Sequence, residues 1–322
     1  MSDRIDGQQA RSIGVIVVNY GAHRLLAANL TELDAAPDIT VVVVDNFHSL
    51  AERTAIIELG KQRGWDLITP DRNLGFGDGN NLGAQRVIAL GCETLILLNP
   101  DAVLDAESCR RLADLASTNT HSLVSPKILR PDGTVWFAGS RLDLNTGRVG
   151  NVAREFSSGP DKWLSGAVLV SHRNMWQELA GFAPGYFLYW EDVDISWRCV
   201  QLGGTLIVAP DITAMHDAGG TQLEQLNGAG KSPIYYYYNC RNRLLFAGRH
   251  LPARRLLSWL WHTPAESKRI LYRGGRRQLV KSPRVIFSAL AGTLAGIGIL
   301  LVEIGRRGCS IVARRRPSTR PL

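Results

Sequence analysis

With 322 residues, 45% of them hydrophobic and 20% charged, the chain has enough apolar material for a sizeable core, which excludes a disordered or fibrous polypeptide. Its five cysteines (Cys92, Cys109, Cys199, Cys240 and Cys309) are widely spaced and form no Cys-x-x-Cys pair. That argues against a disulfide framework or a zinc cluster and fits a reducing compartment. The net charge of +8 is unevenly spread: residues 1–240 hold 19 Lys/Arg against 27 Asp/Glu, and residues 241–322 hold 18 against 2. An acidic body with an arginine-rich tail suits an anionic partner surface.

Residues 1–12 are polar, lack the apolar run of a secretory signal, and are expected to be flexible. From Ile13 strands and helices alternate. "IGVIVVNY" (13–20) is an apolar run ending in polar residues, as a parallel strand covered on both faces would be. A helix is expected over 23–36, a strand over 39–46, a helix over 49–64 and a short strand over 65–70. A helix over 80–91, a strand over 93–101 and a helix over 106–118 follow. This alternation predicts an α/β fold with an open, mostly parallel sheet and helices on both faces, in which ligands sit beyond the carboxyl ends of the strands. Beyond residue 120 come short β-like runs and turns, then "WLSGAVLVS" (163–171), a helix around 173–180, a helix from near Asp192 to Gly203, and a strand over 205–216.

Three strand ends carry polar clusters: Asn19-Tyr20, Asp45-Asn46 and Asn99-Pro100-Asp101. A carboxylate at Asp45 can accept from a base or ribose hydroxyl, or cap the helix that follows. Asp101, fixed by a proline, suits a hard cation such as Mg²⁺ or Mn²⁺ shared with a diphosphate; the alternative is a cap for the helix near 106. "DRNLGFGDGNNLGAQ" (71–85) sets Gly75, Gly77 and Gly79 ahead of a helix, where backbone amides could meet phosphate or ribose oxygens or where the turn is structural. It is neither a P-loop nor a Rossmann fingerprint. His216 follows a strand beside Gly219-Gly220, and both a ligand and a structural role stay open. In "YWEDVDISWRC" (189–199) Asp194 and Arg198 have the i,i+4 spacing of an ion pair, while Glu191 and Asp192 sit at a helix start behind an aromatic run. A carboxylate at the edge of such a wall can take a proton from a hydroxyl.

Together, "VIVVNY", "VVVVDN", "NLGFGDGNNLG", "LLNPD", "WLSGAVLV", "GFAPGYFLYWEDVDISWR" and the late His216 resemble the family-2 glycosyltransferases of GT-A fold over roughly residues 13–220. The form "NPD…FxYxEDVD" is most similar to the bacterial rhamnosyltransferase-like branch. The resemblance implies an inverting transfer of a sugar, L-rhamnose from dTDP-rhamnose in the first instance, to a polyprenyl-diphosphate-linked or polysaccharide acceptor in cell-envelope glycan synthesis. It further implies that Asp45 binds the donor nucleoside, that Asp101 and His216 ligate Mg²⁺ or Mn²⁺ on the donor diphosphate, and that Asp192 is the general base with Glu191 holding the acceptor. Asn19, Asn73, Gly75, Asn80, Asn99 and Gly166 would shape the donor pocket. Asn99 departs from the Asp-x-Asp of many relatives and puts the strength of the metal site in question. A nucleotidyltransferase would want a basic glycine-rich loop after the first strand, and "NYGAHR" is a poor one; a non-catalytic membrane adaptor is the other alternative.

The expected organisation is a nucleotide-sugar half (13–118), an acceptor-binding half of the same domain (119–232) and a basic helical membrane-associating region (233–322). "VIFSALAGTLAGIGILLV" (285–302) is an uncharged run at the length of a bilayer span, flanked by Arg284 and Arg306-Arg307, with a Gly292-x-x-x-Gly296 pair. It reads as a helix docked on or lying in the cytoplasmic face of the inner membrane, with a true span or a helix buried in the protein as the alternatives. "ARRLLSWLWH" (253–262) alternates basic and apolar residues, so an anionic membrane surface is the expected partner and nucleic acid is not; a merely solvated basic face is the alternative.

Overall fold

The computed structural model describes residues 13–151, 156–217 and 231–314, with side chains as far as Arg306. The N-terminal segment expected to be flexible, the Gly219-Gly220 turn and the last arginines lie outside the described residues. Strand β1 (Ile13–Asn19) is buried at every position, as a strand covered on both faces must be. It pairs in parallel with β2 (Ile39–Asp45), in a register that sets Asn19 opposite Asp45. On either side β3 (Asp66–Ile68) and β4 (Thr94–Leu98) continue the parallel arrangement.

Helices α1 (His23–Asn29), α2 (Thr31–Asp34), α3 (Leu50–Arg63), α4 (Gly75–Ala89) and α5 (Ala106–Thr118) alternate with these strands. Two expectations need correction. The single helix over 23–36 divides at Leu30, and the helix expected from Asn80 begins at Gly75. Glycine ordinarily weakens a helix, but here close packing favours it. A Cβ on Gly83 would stand 2.4 Å from the Ile16 side chain, and one on Gly14 would stand 2.1 Å from that of Val87. Glycines on both partners let α4 lie directly on β1.

After β4 the chain forms β5 (Ala102–Val103), β6 (Ser122–Leu129), β7 (Val135–Phe137), β8 (Ser140–Leu142), β9 (Val149–Asn151), β10 (Lys162–Trp163), β11 (Val168–His172), α6 (Arg173–Glu178), α7 (Glu191–Gln201) and β12 (Thr205–His216). Among the described residues nine strands make one sheet in the order β3-β2-β1-β4-β11-β6-β12-β5, with β7 on β6; a three-stranded sheet has the order β10-β8-β9. The expected parallel arrangement holds through β4, and beyond it the sheet is mixed. β11 enters antiparallel to both β4 and β6, and β12 is parallel to β6 but antiparallel to β5. Because β11 runs against β4, with Val168 opposite Leu98, the start of β11 shares a rim with the end of β4.

Two compact units result. The second comprises Leu142–Val149, Leu188–Trp190 and the C-terminal helices, so the helical region gathers two excursions of the preceding chain. Its helices are α8 (Pro233–His250), α9 (Ala253–Tyr272), α10 (Arg276–Lys281) and α11 (Pro283–Arg314). Trp259 Nε1 donates to the Leu144 carbonyl at 2.9 Å, and Arg148 meets buried Glu266 at 3.0 Å. Arg243, buried, lies over the Trp259 ring and donates to Thr263 at 3.1 Å. Helix α11 runs alongside and parallel to α8: Gly292 abuts the Tyr237 backbone, Gly296 the Arg241 carbonyl, and Leu300 Gly248. Cys92, Cys109, Cys199 and Cys240 are all buried.

Candidate active site

At the ends of β1 and β2, the Asp45 carboxylate is fully buried. Its Oδ1 accepts from Asn19 Nδ2 at 3.1 Å and its Oδ2 from Arg53 Nε at 2.6 Å. Asn19 Oδ1 in turn accepts the Ala22 N–H, and Arg53 reaches the Pro70 carbonyl at 2.6 Å. Charge pairing is what allows a carboxylate to be buried here. The cap of α3 is Ser49, which removes the capping alternative for Asp45. Arg53 was missed by the sequence reading; its signal was an arginine near the start of the helix that follows Asp45.

Next along the rim is the start of α4. Asn46 accepts the Leu74 N–H at 2.7 Å and donates to the Gly75 carbonyl at 2.8 Å. Asn73 accepts the Gly75 N–H, and the Phe187 carbonyl accepts that of Phe76, both at 2.8 Å. The amides of residues 74–76 are thus spent within the protein, which favours the structural reading of this glycine turn. Gly75 itself is required: its φ is +84°, and a Cβ would lie 2.3 Å from the Phe187 carbonyl oxygen. Asn80, buried, donates to the Phe76 carbonyl at 2.9 Å.

The expected strand over 93–101 ends at Leu98, and Asn99-Pro100-Asp101 turns into β5. Asn99 N–H donates to the Ala167 carbonyl at 2.9 Å, and Asn29 donates to the Pro100 carbonyl at 2.8 Å. β5 pairs with the last residues of β12, setting His216 opposite Ala102. That pairing brings together two residues 115 apart in sequence: His216 Nε2 lies 3.0 Å from Asp101 Oδ1, and both side chains are buried. Asp105, not Asp101, caps α5, accepting the Ser108 N–H at 2.7 Å. Trp136 meets the His216 ring at a centroid distance of 4.4 Å. Nothing in the sequence marks Trp136, which arrives on the β6–β7 hairpin.

Could this pair hold a divalent cation? Two adjacent ligands of an octahedral ion at about 2.1 Å stand about 3 Å apart, the observed separation. The buried Nδ1 of His216 has no hydrogen-bond partner, so no second hydrogen bond fixes the ring against that role. Among the described residues no group of three or more His, Cys, Asp or Glu gathers for a metal. A carboxylate and an imidazole therefore fit an ion whose other ligands come from substrate and water.

Gly166 connects the two sides of the rim. Its N–H donates to Asp192 Oδ2 at 3.3 Å, its neighbour Ala167 receives Asn99, and a Cβ on it would meet the Phe76 ring at 3.1 Å. Asp192 follows Glu191, itself buried, at the start of α7. Burial pushes the Asp192 carboxyl up to about 6, against the pull of the Gly166 and Val193 amides. Asp194 is paired with Arg198 at 2.7 Å and accepts from Tyr186 at 3.1 Å, the structural ion pair that its spacing suggested.

A family pattern described as "Glycosyl transferase family group 2" matches residues 94–291. The chain belongs to this family. The match opens at β4 and closes inside α11, so this glycosyl transferase shares with its family the Asn99–Asp101 turn, α7 and most of the C-terminal helices. Agl10 of Haloferax volcanii, a low-salt glycan biosynthesis hexosyltransferase, is 22% identical over 251 residues, 72% of this chain and 74% of its own. The dTDP-rhamnosyl transferase RfbF of Shigella flexneri is 24% identical over 249 residues, 75% of this chain and 82% of its own. An N-acetylglucosaminyl-diphospho-decaprenol L-rhamnosyltransferase of Mycobacterium tuberculosis is 25% identical over 231 residues, 63% and 75% of the two chains. In fold the chain is similar to the mannosyltransferase PcManGT of Pyrobaculum calidifontis, solved with GDP-Man and Mn²⁺ (TM-score 0.54, 15% identity, 90% of this chain and 86% of that one). It is also similar to GalNAc-T7 solved with UDP, GalNAc and Mn²⁺ (TM-score 0.52, 15% identity), where it covers 79% of itself and spans 55% of that chain. The expected GT-A architecture is thereby confirmed.

Proposed function

We propose that this glycosyltransferase moves a sugar, L-rhamnose from dTDP-rhamnose, with inversion onto a hydroxyl of a polyprenyl-diphosphate-linked or glycan acceptor at a membrane surface. The observation that carries the reading is the Asp101–His216 pair on the same rim as Asp192, the two joined through the Asn99–Ala167 hydrogen bond and Gly166. Two relatives named for rhamnosyl transfer, one with a decaprenyl-diphosphate acceptor, support the choice of donor and acceptor.

In this reading the nucleoside end of the donor rests against the ends of β1 and β2, whose shape Asn19 and Asp45 fix. Asn73, Gly75, Asn80, Asn99 and Gly166 form the wall along its diphosphate and sugar. Asp101 and His216 would hold a divalent cation, which when bound supplies Lewis-acid stabilisation of the departing diphosphate. A nitrogen ligand favours Mn²⁺ over the harder Mg²⁺, and both structural neighbours were solved with Mn²⁺. Asp192 takes the proton of the attacking hydroxyl as the new bond forms, with Glu191 beside it holding the acceptor. Inversion requires attack from the face opposite the leaving group, so base and metal pair serve opposite ends of one breaking bond. The exposed apolar residues of α9 and α11, Trp261, Phe287 and Leu294 among them, together with the basic tail, would hold the enzyme at an anionic bilayer where a lipid-linked acceptor resides.

A thermal-shift panel of nucleotide sugars with and without Mn²⁺ tests donor and metal together, dTDP-rhamnose plus Mn²⁺ being expected to give the largest shift. Asp192→Asn should retain that shift and lose about 10²–10⁴-fold in transfer, the usual worth of a general base. Near-normal transfer by the variant would remove Asp192 from the role.

A further inference from the structure

Directly before Glu191 and Asp192, Tyr189 has φ +67° and Trp190 φ +76°. Two consecutive aromatic residues in the left-handed region are held against their own preference, since a Cβ there crowds the carbonyl oxygen. Something must hold them, and it lies on α8. The Asn242 side chain has no solvent exposure. Its Nδ2 donates to the Leu188 carbonyl at 3.0 Å and to the Tyr189 carbonyl at 2.9 Å, and its Oδ1 accepts from Arg241 at 2.6 Å. Both amide hydrogens are thus committed to the strained pair. The rings are seated on the same unit: Tyr189 against Tyr235 at 5.2 Å, and Trp190 against Phe246 at 5.7 Å and Trp259 at 6.2 Å.

We propose that Asn242 is a positioning residue for Asp192, clamping Leu188 and Tyr189 so that α7 starts with its first carboxylates in the reactive orientation. The inference rests on the reading of Asp192 as the general base. Without the clamp two carbonyls lose their buried donor, and the pair is free to relax towards extended backbone. That relaxation turns the first residues of α7 and draws the Asp192 carboxylate away from the Gly166 N–H. Chemistry would then suffer and donor binding would not, because the donor-side residues lie on other elements.

Asn242→Asp is nearly isosteric but replaces the donor with an acceptor. In the full-length protein, with dTDP-rhamnose, Mn²⁺ and N-acetylglucosaminyl-diphospho-polyprenol in vesicles, it should lower kcat ten- to hundredfold and leave the donor-induced thermal shift unchanged. Amide hydrogen exchange across residues 188–194 should quicken. Tyr189→Gly added to it should recover part of kcat, because glycine takes a left-handed φ without strain; a purely structural role for Asn242 would gain nothing from that change. If Asn242→Asp does not fold, Asn242→Ser, with one donor for two carbonyls, should show a smaller drop of the same kind. Wild-type kcat and exchange in the folded variant, alongside an inactive Asp192→Asn, overturn this inference alone. An active Asp192→Asn overturns the reading beneath it.

Discussion

Asp192, the proposed general base, shows how a single residue can carry both a chemical role and its cost. With the carboxyl raised from 3.8 to about 6 by burial, the base is protonated and idle in mildly acidic solution and competent at neutral pH. The acid limb of kcat/KM is therefore expected near pH 6, not near 4, falling tenfold per unit below it; a rate profile from pH 4.5 to 8 measures it. Linkage fixes the sign of the stability effect. Between 3.8 and 6 the folded state binds the proton more tightly than the unfolded chain, so stability drops as pH rises through that window and stays lower above it. Asp192→Asn should thus be more stable than wild type at pH 7.5, by at most about 3 kcal/mol, and of equal stability near pH 4. Asp101, His216 and Asp192 could be picked from the sequence because each stands beside a strand end or helix start with a chemically telling neighbour. Trp136 could not, and Asn46 and Arg53 show only their place beside Asp45, because their roles come from partners that only strand register and helix packing bring within reach.

Among the elements, strands were legible and helix limits less so. β1, β2 and β4 announce themselves as apolar runs with polar ends. The division at Leu30 is invisible because apolar spacing continues through it, and Gly75–Gly79 reads as a loop because intrinsic propensity says so, until close packing on Phe187, Phe182 and Val18 outweighs it. The Gly292/Gly296 pair was read as a feature of a membrane helix; it is spent inside the protein, on the backbone of α8. A Cβ on Gly292 would stand 2.1 Å from the Tyr237 carbonyl oxygen, which no side-chain movement relieves. Gly292→Leu should accordingly part α11 from α8, lowering thermal stability by roughly 2 kcal/mol or more and exposing the α8–α11 segment to limited proteolysis.

For the molecule as a whole, α8 bears on how α11 meets a bilayer. By length and composition Pro283–Arg306 could cross one. Yet α8 lies along it with Arg249 exposed and Arg241 partly so, charges that hydrocarbon would not accept without heavy cost. A helix docked through one face, with Phe287, Leu290, Leu294 and Leu301 outward, fits peripheral attachment better. Binding to vesicles containing anionic lipid should therefore weaken as salt is raised, and Phe287→Ser with Leu294→Ser should cut it at least tenfold; co-sedimentation reads both. The charge split between body and tail was plain in the sequence, whereas the joining of residues 142–149 and 188–190 to the helical unit was not, since it depends on single contacts such as Trp259 with Leu144. The opposed run of β4 and β11 has one more consequence. Asp192, the proposed base, and the Asp101–His216 pair are linked through two short turns meeting at the Asn99–Ala167 bond, so a one-residue insertion in either turn would part them without altering any named side chain.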